Sequence, residues 1–157
     1  FIYNKKYNEA NNISSAYLVR DKFSNSYVLE SDLYLYNQDL IRKYEYHSNF
    51  LGFKVDRTDD WCLETKNGII TKEKVGGLDC YQMCGISYYD KETGKQMEKD
   101  IKEVFMSPGG KERYWEQVML DIRKNNYKIY LRECKSEDII EIDTFNELKA
   151  IDKTYDV

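Results

Sequence analysis

The chain has 157 residues, 41% of them hydrophobic and 33% charged, which suits one folded domain, 1–157, with a well-solvated surface. Its 24 basic residues are interleaved with 28 acidic ones, and a net charge of −4 with a sequence pI near 5.2 argues against a nucleic-acid or anionic-membrane partner. No apolar stretch approaches the length of a membrane helix and the first residues do not resemble a signal peptide, so a cytoplasmic protein without membrane insertion is expected.

In chain order, Phe1-Ile2-Tyr3 reads as the end of a strand, which makes the chain a fragment, or a domain excised from something longer. Asn11-Asn12 can cap a helix whose buried face carries Ile13, Ala16 and Tyr17. A strand over 26–31, a short helix over 37–44 and a strand over 48–55 interrupted at Gly52 follow. Strands over 61–65 and 69–75 flank Lys66-Asn67-Gly68, and Asn-Gly is a strong hairpin signal because both central positions of that turn need positive φ. Gly76-Gly77 permits a reversal before a strand over 80–89. Met97, Ile101, Val104 and Phe105 form the apolar stripe of one helix. Trp115, Val118, Met119 and Ile122 form that of the next, with Ser107-Pro108-Gly109-Gly110 between them. Strands over 127–134 and 139–142 lead to a helix over 145–151 capped by Thr144. Strands and helices interleave, so the fold class is α/β with a mixed sheet.

Two acidic tripeptides, Glu30-Ser31-Asp32 and Glu141-Ile142-Asp143, close apolar strand-type runs. Open α/β sheets place ligand chemistry just past strand ends, where side chains project into a crevice. Asp32 and Asp143 are therefore the candidate pair for a hard divalent cation, Mg²⁺, completed by substrate phosphates. Glu30 and Glu141 are read as supporting groups, Glu30 sharing a face with Asp32 on a two-residue period. Trp61, Tyr89 and Tyr114, with Glu116 beside the last, could form an aromatic box for a quaternary ammonium, whereas Trp115 fits the core stripe of its helix. The four cysteines lack zinc-type pairing and sit in apolar, strand-like surroundings, as buried reduced thiols do. His47 is the only histidine, which excludes sites built on several.

Taken together and in order, these strings resemble the bacterial CTP:phosphocholine cytidylyltransferases, within the nucleotidyltransferases that make activated sugars. The resemblance runs through Tyr3-Asn4-Lys5-Lys6-Tyr7, Asn11-Asn12-Ile13-Ser14-Ser15, Asn25-Ser26-Tyr27-Val28-Leu29-Glu30-Ser31-Asp32 and Asp60-Trp61-Cys62-Leu63. It continues through Cys84-Gly85-Ile86-Ser87-Tyr88-Tyr89, Tyr114-Trp115-Glu116 and Ile140-Glu141-Ile142-Asp143-Thr144. It implies a Rossmann-like, GT-A-like nucleotidyltransferase domain in which Asp32 and Asp143 hold Mg²⁺. It also implies that Trp61, Tyr114 and Glu116, with Tyr89 nearby, line the choline pocket. The implied reaction is cytidylyl transfer from CTP to phosphocholine, giving CDP-choline and pyrophosphate.

Two positions depart from the family pattern: Glu116 stands where aspartate is usual, and Tyr89 where tryptophan is common. A Gly-rich loop bearing Arg and Lys, which wraps the nucleotide phosphates in the family, has no counterpart here, so the domain is expected to be N-terminally truncated and inactive or nearly so by itself. An exposed sheet edge could then pair with a second copy. The rival readings are a sugar-1-phosphate nucleotidyltransferase of the same fold and a non-catalytic choline-binding domain of a fused protein.

Overall fold

The computed structural model describes residues 1–155, so the last two residues of the expected 1–157 domain lie outside the described residues. The first regular element is helix α1 (Ile13–Val19), which buries Ile13 and Ala16 as their spacing predicts. Asn12 stands before it, but its side chain makes no cap bond to the helix; its Oδ1 accepts from the Trp115 backbone N–H at 2.9 Å instead. Residues 1–3, expected to close a strand, have no regular structure.

The main sheet contains β1 (Ser26–Leu29), β3 (Asn49–Lys66), β4 (Ile69–Tyr89) and β5 (Tyr130–Glu133), in the order β1-β4-β3-β5. β3 and β5 run parallel and the other pairs antiparallel, so the sheet is mixed and the α/β expectation holds. A separate antiparallel pair is made by β2 (Leu33–Leu35) and β6 (Ile139–Glu141).

Four segments expected as separate strands merge into β3 and β4. The turn between them forms at Asn67 and Gly68, whose φ angles of 53° and 74° are those the hairpin demands. The polar stretch 57–60 stays in the ladder, with Arg57 opposite Leu78 and Thr58 opposite Gly77, and register shifts take the place of breaks. The hairpin folds back on itself, so Cys62 and Leu63 are paired on both sides, with Lys74 and Glu73 on one and Gln82 and Tyr81 on the other.

Phe50 and Leu51 point to opposite faces of the sheet, as neighbours on a strand must. On one face Phe50 joins a core with Ile13, Phe23, Tyr89 and Trp115 and with the buried stripe of α2 (Lys91–Met106), Met97, Ile101, Val104 and Phe105. On the other, Leu51 packs with Leu40, Cys84, Ile86, Cys134 and Ile139, which ties the β2–β6 pair to the sheet. All four cysteines are buried and free, as expected.

Two expected helices are shorter than their patterns suggest. The segment 37–44 forms only a single 3-10 turn, Gln38–Leu40. The chain beyond it bends irregularly, with Glu45 and Leu40 held by one buried side chain: Arg132 pairs with Glu45 and donates to the Leu40 carbonyl, and Tyr27 also donates to Glu45. The 115–122 stripe ends in a π-helical turn, Val118–Ile122, in which the Arg123 N–H reaches back to the Val118 carbonyl at 2.8 Å. Val118 and Met119 are buried there as expected, whereas Ile122 is exposed. Helix α3 (Phe145–Ile151) starts as predicted, with Thr144 and Glu147 forming a reciprocal capping box. No helix among the described residues is long and apolar enough to cross a membrane.

The Arg132–Glu45 pair is almost fully buried, at 10% and 5% side-chain exposure, so removing one partner strands the other charge. Glu45→Ala should lower unfolding stability by ~3 kcal/mol. The double change Glu45→Leu with Arg132→Met should recover most of that loss, both read from urea midpoints.

Candidate functional site

The end of β1, the turn of β4 near Met83 and the 114–116 segment enclose a cavity of about 220 Å³. Five carboxylates line it, Glu30, Asp60, Glu73, Glu116 and Glu141, with Trp61, Tyr114 and Met83. The register explains how they converge. Glu30 follows the last residue of β1, opposite Gly85, whose carbonyl accepts the Glu30 N–H at 3.1 Å. Gly85 has a φ of +60°, and a Cβ added there would lie 2.3 Å from Glu30 Oε2. Glycine at this position leaves the space that the Glu30 carboxylate occupies.

At the mouth of the cavity, Glu30, Asp32 and Glu141 bring one carboxylate oxygen each within 4.8 Å of one another. This grouping alters the expected metal pair. The antiparallel β2–β6 register brings Asp32 and Asp143 to the same strand end, since the Ile142 N–H donates to the Asp32 carbonyl at 2.9 Å. Asp143 is nevertheless outside the close trio, and Glu141, two residues earlier and on the same face by strand alternation, is inside it. Glu30, read as a group behind Asp32, stands beside it in the trio.

Crowding is visible in the proton affinities. The Glu141 carboxyl is pushed up to about 7 by burial and by the charges of Asp143, Glu30, Asp32 and Asp60. Glu30 is raised by burial, and further by Asp32 and Asp60. Hard oxygen donors that repel each other in this way are suited to Mg²⁺, which would relieve the repulsion, so the trio fits the ion that the resemblance implies.

On the cavity wall, Trp61 and Tyr114 meet edge to face at 5.4 Å. Glu116 is 5% exposed, and its Oε2 has no hydrogen-bond partner. Glu73 Oε2 is likewise buried and unpartnered. Burial pushes Glu116 up to about 8, helped by the charges of Glu30 and Glu73, and pushes Glu73 up to about 7, helped by Asp121. Trp61, Tyr114 and Glu116 are thus brought together as the sequence led us to expect.

Tyr89 is not, and here the expected box is corrected. Its ring is 0% exposed and packs against Phe23 and Trp115, with centroids 6.0 Å away in both cases, so it belongs to the core and not to the cavity wall. The last residue of β4 turns its side chain toward the helical face of the sheet. Trp115 is a core residue, as its stripe predicted.

Glu73 escaped the sequence reading. A regular hairpin about Asn67-Gly68 would set Leu63 opposite Lys72, but a bulge between the Glu64–Lys72 and Thr65–Ile70 pairs sets it opposite Glu73. Cross-strand partners share a face, so Glu73 is carried in beside fully buried Leu63.

This α/β architecture is the nucleotidyltransferase fold. The chain superposes on a solved CTP:phosphocholine cytidylyltransferase from Streptococcus pneumoniae with a TM-score of 0.84 and 24% identity, covering 98% of this chain and 67% of that one. In sequence it is similar to the choline-phosphate cytidylyltransferase of Streptococcus pneumoniae, 26% identical over 97% of this chain and 66% of the relative. It is also similar to the 2-aminoethylphosphonate cytidylyltransferase of Lancefieldella rimae, 27% identical over 97% of this chain and 63% of the relative. The chain therefore spans a little under two thirds of the length of these two curated relatives. No family model matches it. The resemblance to the phosphocholine cytidylyltransferases that the ordered motifs carry thus extends over almost the whole chain.

Two outcomes follow from this geometry. Glu116 and Glu73 hold protons more tightly folded than unfolded, so their contribution is fully present below about pH 4.5 and is lost as pH rises through about 7 and 8. The melting temperature should fall by roughly 5–10 °C between about pH 5 and about pH 9, and Glu116→Gln should flatten that slope. Gly85→Ala should strain the positive-φ position and displace Glu30, weakening Mg²⁺ binding by about tenfold or more in a calorimetric titration.

Proposed function

We propose that the protein carrying this chain transfers the cytidylyl group of CTP to a small phosphorylated ammonium compound of the phosphocholine type, releasing pyrophosphate, with CDP-choline as the product from phosphocholine itself. The observation that carries this reading is the adjacency of two sites that share Glu30 and Glu141: a buried acid-and-ring pocket and a group of three carboxylates at its mouth. The pocket suits a cationic head group and the carboxylates suit a divalent ion beside the reacting phosphates. Both named relatives are called after an acceptor that joins an amine-derived cation to a phosphorus oxyanion.

In this reading Trp61 and Tyr114 offer ring faces and edges to the head group, and Glu116 supplies the countercharge. The acceptor is thereby anchored with its phosphate toward Glu30, Asp32 and Glu141. One oxygen of that phosphate attacks the α-phosphorus of CTP, the bond from the α-phosphorus to the bridging oxygen breaks, and pyrophosphate leaves with the electron pair. The attacking phosphate is already ionised near neutral pH, with a second pKa of about 6, so no side chain need remove a proton. Mg²⁺ bound at Glu30, Asp32 and Glu141, with Asp143 close by, would neutralise charge on the phosphates. Tyr89 acts behind the wall, holding Trp115 and so the 114–116 segment in place.

Pyrophosphate release by the native gene product tests the reading, with phosphocholine compared against glucose 1-phosphate. Turnover with the sugar phosphate alone overturns it. Asp32→Asn should cut turnover by about 100-fold or more, and chelation should abolish it, while phosphocholine affinity changes by no more than about threefold. Phosphocholine binding without turnover, in wild type and variant alike, would identify a binding domain instead.

A further inference from the structure

From the cavity's geometry we infer that its deep end is built for an ammonium that still carries N–H bonds, so that the acceptor is a primary or sparingly methylated amine in preference to a trimethylated one. This inference rests on the function proposed above and narrows its acceptor.

The cavity floor presents hydrogen-bond acceptors that lack donors. Glu116 lines the cavity, is 5% exposed, and its Oε2 is buried without a hydrogen-bond partner. Glu73 also lines the cavity, and its Oε2 is likewise buried and unpartnered. Among the described residues no basic side chain answers either group: only a backbone N–H and the Asn12 side chain favour the charged form of Glu116, the charges that bear on it are Glu30 and Glu73, and the charge that bears on Glu73 is Asp121, another acid. Buried polar atoms are almost always satisfied, so two orphaned carboxylate oxygens on one cavity wall mark the place of an absent donor.

A trimethylammonium head cannot fill that place. Its charge is wrapped in methyl groups, it donates no ordinary hydrogen bond, and it leaves both oxygens desolvated and unpaired. It is best held by several ring faces. Among the described residues only Trp61 and Tyr114 line this cavity with rings, they meet edge to face, and Tyr89 is withdrawn into the core. An –NH₃⁺ group has three donors on a compact point charge and can satisfy Glu73 and Glu116 together. The site is therefore rich in acids and poor in rings, the opposite balance from an aromatic cage.

The test is a methylation series: phosphoethanolamine and its mono-, di- and trimethylated forms as acceptors for the native gene product, with CTP and Mg²⁺. The specificity constant, kcat/KM, should fall with each methyl group, by about tenfold or more from the first compound to phosphocholine. Glu73→Gln should compress that ratio mainly through KM for the unmethylated compound, because an uncharged amide keeps only part of the acceptor. A trimethylated form used as well as or better than phosphoethanolamine overturns the inference while leaving the proposed reaction standing. Pyrophosphate release with none of the four overturns the proposed reaction itself. The series is read on the unsubstituted protein, so the outcome stands even if the Glu73 variant does not fold.

Discussion

Five carboxylates face one small cavity, and like charges at that spacing resist ionising together. The rest of the arrangement makes that crowding tolerable until a cation arrives. Glu141 and Glu73 sit near 7 and Glu116 near 8, so part of the acid is kept neutral by protons that a bound cation would displace. A cluster of this kind is unfavourable for folding and useful for binding, and the surrounding structure has to hold it in place. The two long strands and the buried cores on both faces of the sheet do so.

Backbone geometry gives each acid its place. β1 pairs with the end of β4, which stations Glu30 over Gly85. β2 pairs with β6, which brings Asp32 to Glu141 and Asp143 across more than a hundred residues of sequence. A bulge in the β3–β4 hairpin turns Glu73 inward. On the opposite face, Arg132, Glu45 and Tyr27 fasten the 41–48 stretch beneath the sheet, so the segment behind the site is held by a buried charge network. The acids on this scaffold are positioned by strand register and not by a local motif.

The two ends of the cavity have different chemistry although they share residues. The mouth, with Glu30, Asp32 and Glu141, offers hard oxygens from exposed residues, where a hydrated divalent ion can exchange its water. The floor, with Glu73 and Glu116, is drier, and a charge there must be matched by direct contact. In the proposed reaction an acceptor with a phosphate at one end and a cation at the other would span this gradient. Of the two departures from the pattern that the resemblance implies, Glu116 lies on the floor and Tyr89 in the core behind it.

Much of this was legible along the chain. Asn67-Gly68, the stripe of α2 and the Thr144 cap depend on local chemistry, and each appeared where its residues placed it. Asp32, Trp61, Tyr114 and Glu116 stood out because acids and rings at element ends are locally recognisable, and their collinear order pointed to the cytidylyltransferases. Three features depended on distant chain. A one-residue bulge reverses the face of Glu73, the packing of Phe23 and Trp115 claims Tyr89 for the core, and the pairing of β2 with β6 puts Glu141 in front of Asp143. Periodicity tells which residues share a face, but it does not tell where a register slips or which neighbour fills the space beyond. The sequence by itself therefore determined the elements, the fold class and the chemical character of the site. Only the tertiary structure decided which acids meet, because strand register is set by contacts between segments far apart in the chain.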